Sequence, residues 1–317
     1  MSEPEKNPAP NWEREVLEKL ALSAIQEQRR SRQWGILFKT LGFLYLFIVL
    51  FLAAGWFGGE GVAIPKEHTA LVDLQGVIAS DQASADAVIG SLQGAFEDKK
   101  TKGVILRINS PGGSPVQAGQ IYDEIKRLRK LHPNTPLYAV VDDICASGGY
   151  YVAAGADKIY VDKASIVGSI GVLMDGFGFT KAMDKLGVER RLLTAGENKG
   201  FLDPFSPADP KQEAYAKSML EEIHQQFIDV VRKGRGNRLK ETPDMFSGLV
   251  WSGAKSIELG LADAYGSTDY VAREVIKAED IIDFTPRDDL VSRLADKLGI
   301  GMAKALNPVL EGRSPLR

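Results

Sequence analysis

Residues 139–155 read Ala139-Val140-Val141-Asp142-Asp143-Ile144-Cys145-Ala146-Ser147-Gly148-Gly149-Tyr150-Tyr151-Val152-Ala153-Ala154-Gly155. An apolar run stops at two aspartates, and Ser147 then opens a small-residue helix through a Gly-Gly step, which makes this a strand-to-helix turn. A hydroxyl at such a turn stands clear of the backbone. The amides beside it, freed by glycine from side-chain crowding, suit a developing oxyanion. The plainer reading is that Ser147 only caps the helix, because Ser-Gly turns before helices are common. Taken alone, the stretch leaves both readings open.

A second junction of the same kind lies upstream. Ile108-Asn109-Ser110-Pro111-Gly112-Gly113-Ser114 follows the apolar run 103–107 and precedes a helical pattern over 116–131. A lone Pro-Gly-Gly reads as a tight turn. Two such junctions on neighbouring strands would set a serine on one side of a carbonyl and glycine N–H groups on the other. Strand-like runs at 69–74, 104–108, 137–141 and 158–161 alternate with helical stretches, which is an α/β layout. From His68 onward, about 220 residues suffice for one large core with one site, and no internal duplication is evident. Long amphipathic helices are expected over 211–232 and 288–306.

A serine nucleophile needs a base. The chain has three histidines, His68, His132 and His224. His68 follows an apolar segment closely, His132 sits at a helix exit, and His224 is expected on the polar face of a charged helix, so none suits a Ser-His-Asp arrangement. The Gly-x-Ser-x-Gly elbow also fails, with Cys145 at its first glycine position. The remaining common base is a neutral lysine, which loses its proton readily when buried. Lys199, in Gly196-Glu197-Asn198-Lys199-Gly200-Phe201-Leu202, is the candidate; composition alone favours an exposed loop lysine, and Glu197 supports that plainer reading. Ser252-Gly253-Ala254-Lys255 fits a Ser-x-x-Lys pattern, but the supporting Ser-Asp-Asn and Lys-Thr-Gly motifs are absent, so Ser252 reads as a helix cap and Lys255 as exposed. Cys145 reads as a small buried residue rather than a nucleophile.

These segments, with Gly168-Ser169-Ile170-Gly171-Val172, Trp251-Ser252-Gly253-Ala254-Lys255 and Leu259-Gly260-Leu261-Ala262-Asp263, stand in an order and spacing that resembles the S49 family of serine proteases, in the short bacterial form of signal peptide peptidase A. The similarity runs from about residue 68 to residue 284. The resemblance implies a Clp-protease/crotonase-like superhelical α/β fold, whereas periodicity alone equally permits a doubly wound sheet. It implies Ser147 as nucleophile, Lys199 as general base and Ser169 as the hydroxyl that orients the lysine. Gly112 or Gly113, with Gly148, would form the oxyanion hole. It further implies peptide substrates, namely signal peptides left in the membrane, and a homo-oligomeric ring or dome in which the serine of one subunit is completed by the lysine of its neighbour. Neither cofactor nor metal is needed by this chemistry. Two other readings stand beside it: an acyl-CoA enzyme of the crotonase fold, using the same glycine amides on a thioester enolate, and a catalytically idle membrane scaffold.

Residues 40–59 form an uncharged run of 20 residues between Lys39 and Glu60, long enough to cross a hydrocarbon core of about 30 Å as one transmembrane helix. A cleaved signal peptide fits poorly, because the run is long and 39 residues precede it. Arg29, Arg30, Arg32 and Lys39 place the N-terminus in the cytoplasm by the positive-inside rule. The body then lies in the periplasm, anchored to the lipid of a bacterial cytoplasmic membrane by a single pass. The expected organisation is a cytoplasmic extension (1–39) with a short amphipathic helix over 11–32, the membrane helix (40–59), the peptidase domain (60–287), and a C-terminal helix and tail (288–317). A formal net charge of −3 gives no electrostatic reason for a nucleic-acid partner.

Overall fold

A computed structural model describes residues 12–53 and 66–286, in two compact units divided between Ile64 and Pro65. In the first unit, helix α1 (Trp12–Ala53) has 42 residues, a length of about 63 Å at 1.5 Å per residue. Residues 27–50 are exposed along their whole length, and by length and composition this stretch of helix can cross a membrane. The short helix expected over 11–32 is not a separate element: α1 runs through Arg32 into the apolar run. The one weak helix former between them is Gly35, and a single glycine costs only about 1 kcal/mol. Residues 54–59 of the expected span and the helix expected over 288–306 lie outside the described residues.

The second unit is built on strands β1 (His68–Gln75), β2 (Thr101–Ser110), β3 (Leu137–Ala146), β4 (Lys158–Val161), β5 (Ile166–Gly168), β6 (Val250–Ser252), β7 (Ala264–Tyr265) and β8 (Ile281–Asp283). They form one mixed sheet in the order β6-β5-β3-β2-β1-β8, with β4 paired to β3 and β7 to β4. Every pairing is parallel except β5 with β6. Parallel strands are buried on both faces, which is why β1 and β2 read as near-continuous apolar runs. The α/β expectation therefore holds.

β3 extends five residues beyond the run expected over 137–141 because it changes partner. Residues 138–140 pair with β4 and residues 144–146 with β5, and the exposed Asp142 and Asp143 mark the change. This carries the end of β3 beside the end of β2, where Ser110 pairs with Cys145. Helices α2 (Ala85–Glu97), α3 (Pro115–Leu131), α4 (Gly148–Ala153), α5 (Thr180–Leu186), α6 (Pro210–Arg235) and α7 (Gly253–Glu258) belong to the same unit, and short helical segments lie at Gly236–Arg238, Thr268–Tyr270 and Val271–Ile276. The starts of α2, α3 and α7 are fixed by the side chains of Ser84, Ser114 and Ser252, each accepting a helix amide. Leu106, Ile108, Ile121, Ile125 and Tyr150 join α3 and α4 to the sheet in the main core, and Phe227 and Val231 bring α6 onto it.

α6 is clamped at its far end. Arg235, 1% exposed, donates to both carboxylate oxygens of Asp263 at 2.8 and 2.9 Å and to the Gly260 carbonyl at 2.8 Å. Burial pushes the Asp263 carboxyl up. The hydrogen bond and charge of Arg235, the Ile159 amide and Arg238 outweigh that and hold it below the usual carboxylate range.

Candidate active site

Loops at the carboxyl ends of parallel strands are where α/β folds place ligands, and the two junctions meet there. After β2, Pro111-Gly112-Gly113 turns into α3; the Ile78 amide donates to the Gly112 carbonyl and the Ser114 amide to the Ile78 carbonyl, both at 2.8 Å. Gly112 and Gly113 have φ of 105° and 148°, left-handed values that favour glycine. The fit leaves no room for a side chain. A Cβ on Gly112 would stand 2.7 Å from both the Gly148 nitrogen and the Ser147 Cβ, and one on Gly113 would stand 2.2 Å from the Ile78 carbonyl oxygen.

Ser147 occupies the cap position of α4, yet its hydroxyl makes no capping hydrogen bond. This separates it from Ser84, Ser114 and Ser252, and the plain capping reading loses its support. Its φ of 51° with ψ of −123° is strained for a residue with a Cβ, a state that persists only where the surroundings impose it. Those surroundings are the Ser147 amide donating to the Gly168 carbonyl at 2.8 Å and the Tyr151 amide donating to the Ser147 carbonyl at 3.0 Å. Ser169 is strained likewise, with φ 52°, and its amide donates to the Leu249 carbonyl at 2.7 Å.

Ser147, Gly148, Gly113 and Ser169 all line one cavity of about 580 Å³. Its lining combines the apolar Pro111, Val172, Leu173, Ile223 and Phe227 with the neutral polar Gln226 and Ser247, and among the described residues no Asp, Glu, Lys, Arg or His contributes to it. Tyr151 is the titratable group of the lining, and burial pushes its phenol up, with Asp123 and Tyr122 adding to the effect. Gly112 lies just behind the lining, its amide donating to the buried Ser110 hydroxyl at 3.1 Å. The amides of Gly113 and Gly148 have no such partner among the described residues.

Lys199 is not brought to this cavity within the chain. It is exposed, in a run of tight turns, outside the residues that line the space around Ser147. The histidines are also engaged elsewhere. His68 is buried, 3.3 Å from the Thr101 hydroxyl and stacked on Phe284; His132 ends α3 against Phe96. His224, expected on a polar face, is half-buried, with Nε2 3.1 Å from the Ile170 carbonyl next to Ser169. Cys145 is fully buried, and burial pushes its thiol up, so it is not a thiolate beside Ser147. Ser252 caps α7 and Lys255 pairs with Glu258 at 2.7 Å, as a surface pair.

The sequence reading missed Ser110, which occupies the Gly112 amide, and the α6 wall. Ile223 and Phe227 stand four residues apart, the spacing that sets two side chains on one helix face, and that signal was available.

Residues 129–281 match the family model described as Peptidase family S49. The chain is 45% identical over 183 residues to a Brucella melitensis protein named Na(+)/H(+) antiporter NhaA, covering 58% of this chain and 25% of that protein. An Enterococcus faecium protein named for signal peptide peptidase SppA is 31% identical over 189 residues, covering 60% of this chain and 54% of that one. A mutant of a membrane-bound stomatin-specific protease is similar in structure at 12% identity and a TM-score of 0.42, covering 70% of this chain and 99% of that one. The chain thus spans about a quarter and about half of these two curated relatives, and no antiporter property carries over from the quarter that is shared.

Proposed function

Because the chain is an S49-family protease of the signal-peptide-peptidase type, we propose that it is a serine endopeptidase in which Ser147 attacks a peptide carbonyl and Lys199 serves as general base. The observation that carries this reading is the Ser147 hydroxyl, uncommitted to capping and held by a strained turn in a mostly apolar cavity beside two unpaired glycine amides. Gly113 and Gly148 fit the oxyanion donors, since the Gly112 amide is already given to Ser110. Lys199 takes the serine proton as the oxygen attacks, then returns it to the departing amine; water repeats the cycle on the acyl-enzyme. Ser169, on the same cavity, orients the incoming amine.

A cavity lined by no acid, base or histidine has to receive its base from outside its own walls. That supports a homo-oligomer in which Lys199 of one subunit serves Ser147 of the next. The mostly apolar walls suit an uncharged side chain of the substrate, and the long apolar α1 supports a single-pass anchor in the bacterial cytoplasmic membrane, with the body in the periplasm. Remnant signal peptides, apolar and membrane-bound, are the substrates that match both features. The proposed domain limits stay at about residues 39, 59 and 287.

A serine-directed fluorophosphonate probe on the full-length protein tests the reading. It should label Ser147, and Ser147→Ala and Lys199→Ala should each lower peptide turnover by about a thousandfold or more, with Ser169→Ala milder, roughly 10- to 1000-fold. Turnover near wild type in Ser147→Ala would remove the nucleophile assignment.

A further inference from the structure

Four non-glycine residues in the described chain have left-handed backbone: Ser147, Ser169, Leu202 and Lys277. Two of them, Ser147 and Ser169, line the cavity. Leu202, with φ 52°, stands three residues after Lys199. A leucine in this region is strained, and the strain persists only where something fixes it. What fixes it is Gln212 in the first turn of α6, whose Oε1 accepts the Leu202 amide at 2.8 Å.

The turns between carry that constraint back to the lysine. The Phe201 amide donates to the Asn198 carbonyl at 3.1 Å, the Asp203 amide to the Gly200 carbonyl at 3.2 Å, and the Lys199 amide to the Gly196 carbonyl at 3.1 Å. Beyond Leu202 the chain is held again, with Asp203 accepting from the Ser206 hydroxyl at 2.7 Å and the Phe179 amide donating to the Pro204 carbonyl at 2.8 Å. The helix that holds this turn is the one that puts Ile223 and Phe227 into the wall of the Ser147 cavity. One rigid element therefore frames the nucleophile's cavity and the lysine's turn.

We propose that Gln212 is a positioning residue for Lys199: by accepting the Leu202 amide it holds the lysine turn in the conformation that presents the amine. This rests on Lys199 being the general base. A misplacement of about 1 Å at a reacting group can cost about a hundredfold in rate. Gln212 is not among the residues that line the Ser147 cavity, so its removal should act on turnover rather than on substrate binding.

The test is steady-state cleavage of a fluorogenic apolar peptide by the full-length protein. Gln212→Ala should lower kcat by about 10- to 100-fold with KM within about twofold. Gln212→Glu keeps an acceptor oxygen but adds a carboxylate near the lysine turn, and should recover kcat in part relative to Gln212→Ala. Leu202→Asn, which accepts left-handed backbone, should remain active, whereas Leu202→Val should slow as Gln212→Ala does. A kcat for Gln212→Ala within twofold of wild type, or Gln212→Glu as slow as Gln212→Ala, would overturn the proposal. If Gln212→Ala does not fold, the Leu202 pair decides, and equal rates for Asn and Val overturn it. Lys199→Ala is measured alongside: full turnover there removes the base reading, while an inactive Lys199→Ala beside an unimpaired Gln212→Ala removes the positioning role alone.

Discussion

The Ser147 amide donates to the Gly168 carbonyl at 2.8 Å. This one bond ties the turn that presents Ser147, the proposed nucleophile, to the turn that presents Ser169, and both serines adopt left-handed backbone. Each such residue costs roughly 1–3 kcal/mol, which the surrounding pairing of β3 with β5 and β2 offsets. The two hydroxyls are therefore set by the sheet rather than by flexible loops.

The close approach of Gly112 to Ser147 gives a sharp substitution test. Gly112→Ala places a Cβ 2.7 Å from Ser147 Cβ and Gly148 N, so the turn that aims the proposed nucleophile must shift. The rate should fall by about a hundredfold or more. Gly90→Ala is the control. A Cβ there meets nothing within 4 Å on helix α2, and activity should be unchanged with stability raised by about 0.5–1 kcal/mol. Kinetics and denaturant unfolding of both variants check this.

Asp263 gives a stability test away from the chemistry. Removing it leaves the buried Arg235 guanidinium uncompensated, and Asp263→Ala should lower the unfolding free energy by about 3–5 kcal/mol. Its carboxyl is held below the usual range when folded, so the contribution is fully present above the unfolded value near 3.9 and is lost as pH falls through the lower folded value. Denaturant unfolding between pH 7 and pH 3 should show wild type losing this stability in acid and Asp263→Ala lacking that component.

Anchor orientation is read by reporters. A fusion after residue 317 should be active only in the periplasm, and tags before residue 30 should stay protease-protected in intact spheroplasts. Cytoplasmic exposure of the body would overturn both the orientation and the proposed substrate pool.

Much of this was legible because it is written locally. The Asn109–Ser114 and Ala146–Tyr151 junctions announce themselves through glycine and serine at turns, and the spans of α3 and α6 through apolar periodicity. What was not legible depends on long-range pairing. The extension of β3 follows from its exchange of β4 for β5 across some 20 residues, and periodicity says nothing about partners. The proposed preference for Gly113 over Gly112 as oxyanion donor rests on the Ser110 hydroxyl seen on the Gly112 amide, which no local motif announces. The motif around Lys199 named a base, but its distance from the cavity lining is a property of the folded chain.

The most direct test of a shared serine-lysine site mixes two dead protomers. Ser147→Ala and Lys199→Ala chains are co-expressed with different tags, hetero-oligomers are isolated through both tags, and peptidase turnover is measured per oligomer. A site that joins Ser147 of one subunit to Lys199 of its neighbour should regain activity wherever the two intact residues meet, giving a fraction of wild-type turnover from two inactive parents. Verified hetero-oligomers with no turnover would contradict the account and return the dyad to a single chain.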